Sequence, residues 1–230
     1  MGLKRCVHCL GYFVKITEDH VLPRSWYPES TPKDVGKWTI PACESCNKEY
    51  GQIEGDLLIR LGLCLDPSDK AAAGIPQRVL RAISERHGSG ARDKRCRKSR
   101  YKKLMRESLS GGDIPDKGIY PNFGASAKDK SPLGFLIPAS SVQKLGEKIV
   151  RGITYIAESK YIEKPFRIAI YVVEDNAVAA VLEDIKHYSR EYSVGPGIKV
   201  LRAIGEDSSA LFYISIWGKF NMYASVMKPE

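Results

Sequence analysis

Four cysteines in two pairs, Cys6-Val-His-Cys9 and Cys43-Glu-Ser-Cys46, stand about thirty residues apart in a chain of 230. Each CxxC turn offers two thiolates at the separation that one tetrahedral ion requires. Four sulfurs complete the shell of a Zn2+, which leaves no open position and makes such a site structural. Disulfides are the competing use of cysteine. The start MGLKRCVHC has no apolar signal region, and no apolar run approaches the roughly 20 residues of a membrane span. The expectation is a cytoplasmic chain without a membrane partner, where paired cysteines are metal ligands. Cys64 and Cys96 stand alone and are expected to be dispensable. His8, between two ligands, is expected on the surface of the knuckle.

The rest of the chain divides by composition. Residues 1–64 hold both cysteine pairs, and LDPSDKAAAGIP, 65–76, is a turn-rich break. Helical material follows to Ser110, then a loop-rich passage that ends on strand-like GFLIP. From Ser140 or Ser141 as N-cap, Val142, Leu145, Ile149, Val150, Ile153 and Ile156 recur at helical spacing. FRIAIYVVED reads as a buried strand and AVAAVLEDIKHYSREY as a helix. IKVLRAI, ALFYISIW and KFNMYASVM read as three further strands. The expected architecture is α+β with three parts. Residues 1–64 form a zinc-braced domain, 65–110 a basic helical connector, and 111–230 an α+β domain with a mostly antiparallel sheet. With 43 % apolar residues, a packed core is within reach.

The net charge of +9 is unevenly spread. Lys and Arg against Asp and Glu number eight against eight in residues 1–64, thirteen against five in 65–110, and fifteen against fourteen in 111–230. Nine of the fifteen residues in RDKRCRKSRYKKLMR, 92–106, are basic, and their apolar neighbours form no stripe that would face a core. Such clustering favours a surface for a polyanion. Arg95, Arg97, Lys98, Arg100, Lys102 and Lys103 are the expected phosphate contacts, with Tyr101 available to stack on a base of a single strand.

Between the cysteine pairs lies ITEDHVLPRSWYPESTPKDVGKWTIP, with Asp19-His20 closing a strand-like run, and Asn47 directly follows the last cysteine. DHVLPRSW followed by CESCN resembles the HNH endonuclease family, whose ββα-metal core is often braced by two CxxC pairs in this arrangement. The resemblance covers roughly residues 5–60. It implies a nuclease that hydrolyses DNA phosphodiesters, with RNA left open. His20 would be the general base, Asp19 and Asn47 would hold a catalytic Mg2+ or Mn2+, and Cys6, Cys9, Cys43 and Cys46 the structural zinc. The residue types suit those roles: an imidazole near neutrality takes a proton from water, and oxygen donors suit a hard ion. The planar fork of Arg24 suits a flanking phosphate. The sequence also departs from the family pattern. One turn after Asn47 stands Gly51, which has no side chain, and KDVGKWTIP holds no asparagine for the motif's central position.

One carboxylate is out of place. In CNKEYGQIEGDLLIRL, Tyr50, Leu57, Leu58 and Leu61 share one side of a helix with Asn47, and Glu54 falls among them. It is expected to orient His20, Arg24 or a metal-bound water, the alternative being a pair with a lysine or arginine at the domain edge. Two other readings of the chain stay open: a non-catalytic zinc-ribbon DNA-binding or adaptor protein with a degenerate nuclease core, and a nuclease effector in host defence controlled by the C-terminal part. No catalytic cluster is visible in residues 111–230. His187 is expected to be solvated, Trp217 to lie in the core or on the sheet surface, and a second copy or a protein partner would engage this part.

Overall fold

A computed structural model describes residues 2–110, 133–173, 177–193 and 195–229. The expected loop-rich passage, 111–134, lies outside them but for its last two residues. The first cysteine pair sits in a small hairpin of β1 (Lys4–Arg5) and β2 (Tyr12–Phe13). Next, β3 (Thr17–His20) pairs antiparallel with β4 (Thr39–Ala42), Asp19 opposite Ile40 and His20 opposite Thr39. The second cysteine pair opens α1 (Glu44–Gly62), so two strands and a helix follow in that order. Then come α2 (Ile75–Ile83), α3 (Ala91–Arg106), and β5 (Ser108–Ser110) paired with β6 (Leu133–Phe135).

The C-terminal part contains α4 (Ala139–Glu158), β7 (Arg167–Val172), α5 (Val178–Lys186), β8 (Ser189–Ser193), β9 (Ile198–Ile204), β10 (Ala210–Ile216) and β11 (Phe220–Met227). Its five strands form one fully antiparallel sheet in the order β7-β11-β10-β9-β8. Alternation along the strands assigns its faces. Val200, Phe212, Ile214 and Ile216 point into the main core, whereas Leu201 and Tyr213 pack under α5 with Ile185. The α+β class with a mostly antiparallel sheet is thus as expected. Ser189–Ser193 differs: the sequence pattern predicts the end of a helix there, and the structure has an edge strand. Beyond Ile185 the helical pattern offers no further buried position, whereas pairing with β9 puts Tyr192 opposite Val200 and covers it.

The core runs through all three sequence segments. Val21, Leu22, Trp26, Ile40, Leu57 and Leu61 share one cluster with Leu145, Ile149 and Ile153 of α4 and Phe212 of the sheet. Trp217, fully buried, stacks on Trp26 with ring centroids 5.1 Å apart and donates its indole N–H to the Trp26 carbonyl at 2.8 Å. Two glycines bring α4 this close to both neighbours. A Cβ on Gly146 would stand 2.7 Å from Ile170 of β7, and one on Gly152 2.7 Å from Val21, just after β3.

Gly152→Leu should therefore lower stability in urea unfolding by about 1–3 kcal/mol, the cost of overpacking. Gly55→Ala, on the exposed side of α1 with nothing within 4 Å of the added carbon, should leave stability unchanged or raise it by up to about 1 kcal/mol. Equal responses at the two positions would mean that α4 does not press on the N-terminal hairpin.

Candidate functional site

The first CxxC turn is tightened by backbone bonds from Cys6 to the Gly11 carbonyl, 2.9 Å, and from Leu10 to the Cys6 carbonyl, 3.0 Å, with Leu10 in the left-handed region at φ 64°. Cys43 is the N-cap of α1, its Sγ accepting from the Cys46 amide at 3.5 Å. The four sulfurs of Cys6, Cys9, Cys43 and Cys46 all lie within 4.8 Å of one another, Cys9 and Cys43 at 3.9 Å. A tetrahedron of 2.3 Å zinc–sulfur bonds has edges of about 3.8 Å. The donor set and its spacing fit one zinc, held for structural purposes.

Next to this cluster the structure assembles charged side chains that water scarcely reaches. Asp19 is 5 % exposed and Lys148 of α4 0 %. The Lys148 ammonium donates to Asp19 Oδ1 at 2.8 Å and to the Glu54 carboxylate. His8 shares a hydrogen bond with Asp19 Oδ2 at 2.9 Å, and its ring packs on Tyr50 with centroids 4.4 Å apart. His8 is therefore buried, contrary to the surface position expected of it, because Asp19 draws its ring inward. Glu54 is paired with a lysine, as its alternative reading had it, but inside the molecule and not at a domain edge, and the partner stands ninety-four residues away on another helix.

Burial sets the titration of this group. Desolvation pushes Glu54 up to about 7, and the single contact with Lys148 only partly offsets it. Burial would also raise Asp19, but the bonds from His8 and Lys148 outweigh it and hold this carboxyl below its ordinary value. One ammonium faces two carboxylates, and the one with two donors keeps its charge.

The expected catalytic groups are spread over two faces of the hairpin. Along β3, Thr17 and Asp19 face the helices, and His20 projects to the other side. His20 is half-buried, its Nδ1 has no hydrogen-bond partner among the described residues, and its pKa is lowered by burial and by exposed Arg24 nearby. Asn47 donates to Thr17 Oγ1 at 3.0 Å and to the Glu18 carbonyl at 3.4 Å, clamping the first turn of α1 to β3. The expected cation seat, Asp19 with Asn47, does not fit a divalent ion in this arrangement. Both Asp19 oxygens are engaged by protein donors, one by a lysine ammonium, and the Asn47 amide is turned to β3. Among the described residues only the four cysteines gather as a metal-binding group.

The basic segment is more anchored than its composition implied. α3 buries Leu104, and Arg97 donates to the Arg81 carbonyl and pairs with Asp93 at 3.0 Å. Lys98 meets Glu85 at 3.5 Å and Lys103 meets Asp56 of α1 at 3.3 Å. Arg95, Arg100, Lys102 and Tyr101 remain exposed. No helix among the described residues is long and apolar enough to cross a membrane. His187 is exposed, as expected.

Comparison with known proteins adds no identity: no family model, no curated protein and no solved structure matches this chain.

Two measurements follow from the site. Purified protein should contain one zinc per chain, and Cys43→Ser should lower the melting temperature and abolish zinc retention, whereas Cys96→Ser changes neither. For Glu54, protonation is favoured in the fold, so its stabilising contribution is complete below its ordinary value of 4.5 and is lost as pH rises to about 7. The two histidines, whose pKa values are lowered, act in the opposite sense over this range. The stability of wild type minus that of Glu54→Gln isolates the carboxylate. This difference should fall by at most about 3 kcal/mol between pH 4.5 and 7, and a flat difference refutes the assignment.

Proposed function

We propose that the chain is an endonuclease of the HNH type that hydrolyses DNA phosphodiesters, RNA remaining open. The observation that carries this reading is the placement of His20: it ends the first strand of a strand–strand–helix unit pinned at its edge by four cysteines. A lowered pKa keeps the imidazole neutral near pH 7 and ready to accept a proton from water. Exposed Arg24 supplies a planar cation for a phosphate beside it. The basic helix α3 supplies charge for further phosphates.

A second reading is favoured by Lys148. A fixed ammonium on Asp19 already neutralises the carboxylate that the family resemblance assigns to a cation, and a chain so arranged is a non-catalytic nucleic-acid-binding module braced by zinc. The two readings part in one assay. Supercoiled plasmid incubated with the full chain should give relaxed or linear product when Mg2+ or Mn2+ is added and stay intact without either. His20→Ala should slow it by about 10²–10⁴-fold, the usual worth of a general base, and leave DNA affinity within about twofold, because binding rests on phosphate contacts elsewhere. Uncut plasmid at high enzyme selects the binding module. Undiminished cutting by His20→Ala removes this residue from the chemistry.

The electrostatic part is separately measurable. Glutamine at Arg95, Arg97, Lys98, Arg100, Lys102 and Lys103 together should weaken DNA binding and make its dependence on log salt shallower, by about 0.9 for each duplex phosphate that is no longer neutralised. An unchanged slope places the phosphates on another surface.

A further inference from the structure

The turn Glu85–His87 folds α3 back against α2 and opens a cleft of about 890 Å3 between them. Leu80 of α2 and Tyr101 of α3 line it, and both keep about half of their surface in water, 54 % and 48 %. Around this apolar floor stand Arg81, Arg86, Lys94 and Lys98, with Glu85 as the one carboxylate lining it, and Glu85 is already matched by Lys98 at 3.5 Å. Lys94, Lys98 and Tyr101 recur four and three residues apart, so one face of α3 presents two ammonium groups and then a phenol ring to the same space. No ion pair among the described residues engages Arg86 or Lys94.

We propose that this cleft binds unpaired single-stranded nucleic acid, with a base lying on Tyr101 against Leu80 and the adjoining phosphates held by Arg86 and Lys94. The chemistry selects among polyanions. A phosphate alone has no use for an exposed leucine and tyrosine. A duplex keeps its base faces stacked and closed, so it meets the cations but not the apolar floor. A lipid bilayer offers both charge and an apolar phase, but one leucine and one tyrosine that line a cleft give it little to bury. A single strand alone carries charge and free π-faces at neighbouring positions. Arg95 and Lys102, exposed on the adjoining side of the same helix, offer charge for the rest of the strand.

This inference deepens the nucleic-acid side of the proposed function and is independent of its hydrolytic side. A chain that binds single strands and never cuts loses only the nuclease reading. The test is fluorescence anisotropy of the full chain, without added divalent cation, on a labelled mixed-sequence 15-mer and on the same 15-mer annealed to its complement, at one salt concentration. The single strand should bind at least tenfold more tightly. Tyr101→Ala should weaken the single strand by about 5- to 100-fold, the usual worth of one stacked base, and change duplex affinity by less than twofold, whereas Tyr101→Phe should retain binding. Tyr101 is half-exposed, so the fold tolerates these changes, and circular dichroism confirms it. Equal or tighter binding of the duplex, or an unaffected single strand with Tyr101→Ala, overturns the proposal. So does displacement of the strand by vesicles containing phosphatidylserine as effectively as by unlabelled strand.

Discussion

The ammonium of Lys148 has no contact with water, and the N-terminal half of the molecule is arranged around it. Removing a lysine and two carboxylates from solvent costs several kcal/mol per ion, which only close pairing offsets. Asp19 from β3 provides that charged pairing to a residue of α4 and Glu54 from α1 a second acceptor, so one cation joins three elements. Removing one partner would strand a buried charge at a cost of about 3–5 kcal/mol. His8 extends the network into the first cysteine loop, so the metal cluster and the charged group share a wall. A zinc held by the four cysteines would do more than close a small hairpin, because the loop it braces carries the histidine bonded to Asp19.

Glu54 and Lys148 also mark what the sequence can disclose. Each is a charge on an apolar helical stripe, Glu54 among Tyr50, Leu57 and Leu61, and Lys148 among Leu145, Ile149 and Gly152. Either one signals a buried pair, Lys148 as much as Glu54. That the two answer each other is a long-range fact, set by how α4 docks on α1, and no local pattern carries it. The metal cluster was legible because CxxC geometry is local and four identical donors leave few alternatives. The strand–helix order of the C-terminal part was legible from periodicity for the same reason, except for β8, whose residues read as the end of a helix. The continuous core was not: the charge divisions at residues 64 and 110 reflect surface chemistry, and the apolar side chains that cross them are indifferent to it.

His20 and Asp19, adjacent in sequence, serve different sides of β3. Alternation sends the carboxylate inward, where it is consumed by structure, and the imidazole to the side where Arg24 and solvent are. A pair that reads as one motif along the chain is thus divided by the pleat. The division gives the inner face a reason to exist even in a chain that cuts nothing, and it leaves the outer face to be judged on His20 alone.

The two candidate surfaces are held on one helix. Asn47 docks β3 on the first turn of α1. Near its other end Asp56 and Arg60 bind Lys103 and Glu107 at the end of α3. From residue 47 to residue 60, α1 advances about 20 Å. On the proposed reading, a strand gripped by α3 and cut beside the β3–β4 hairpin runs between elements that α1 holds apart. α1 is continuous over this length and is tied at both ends by side-chain bonds, so the separation is fixed by the fold and not by a hinge. On that reading, a substrate that uses both surfaces is an oligonucleotide and not a mononucleotide.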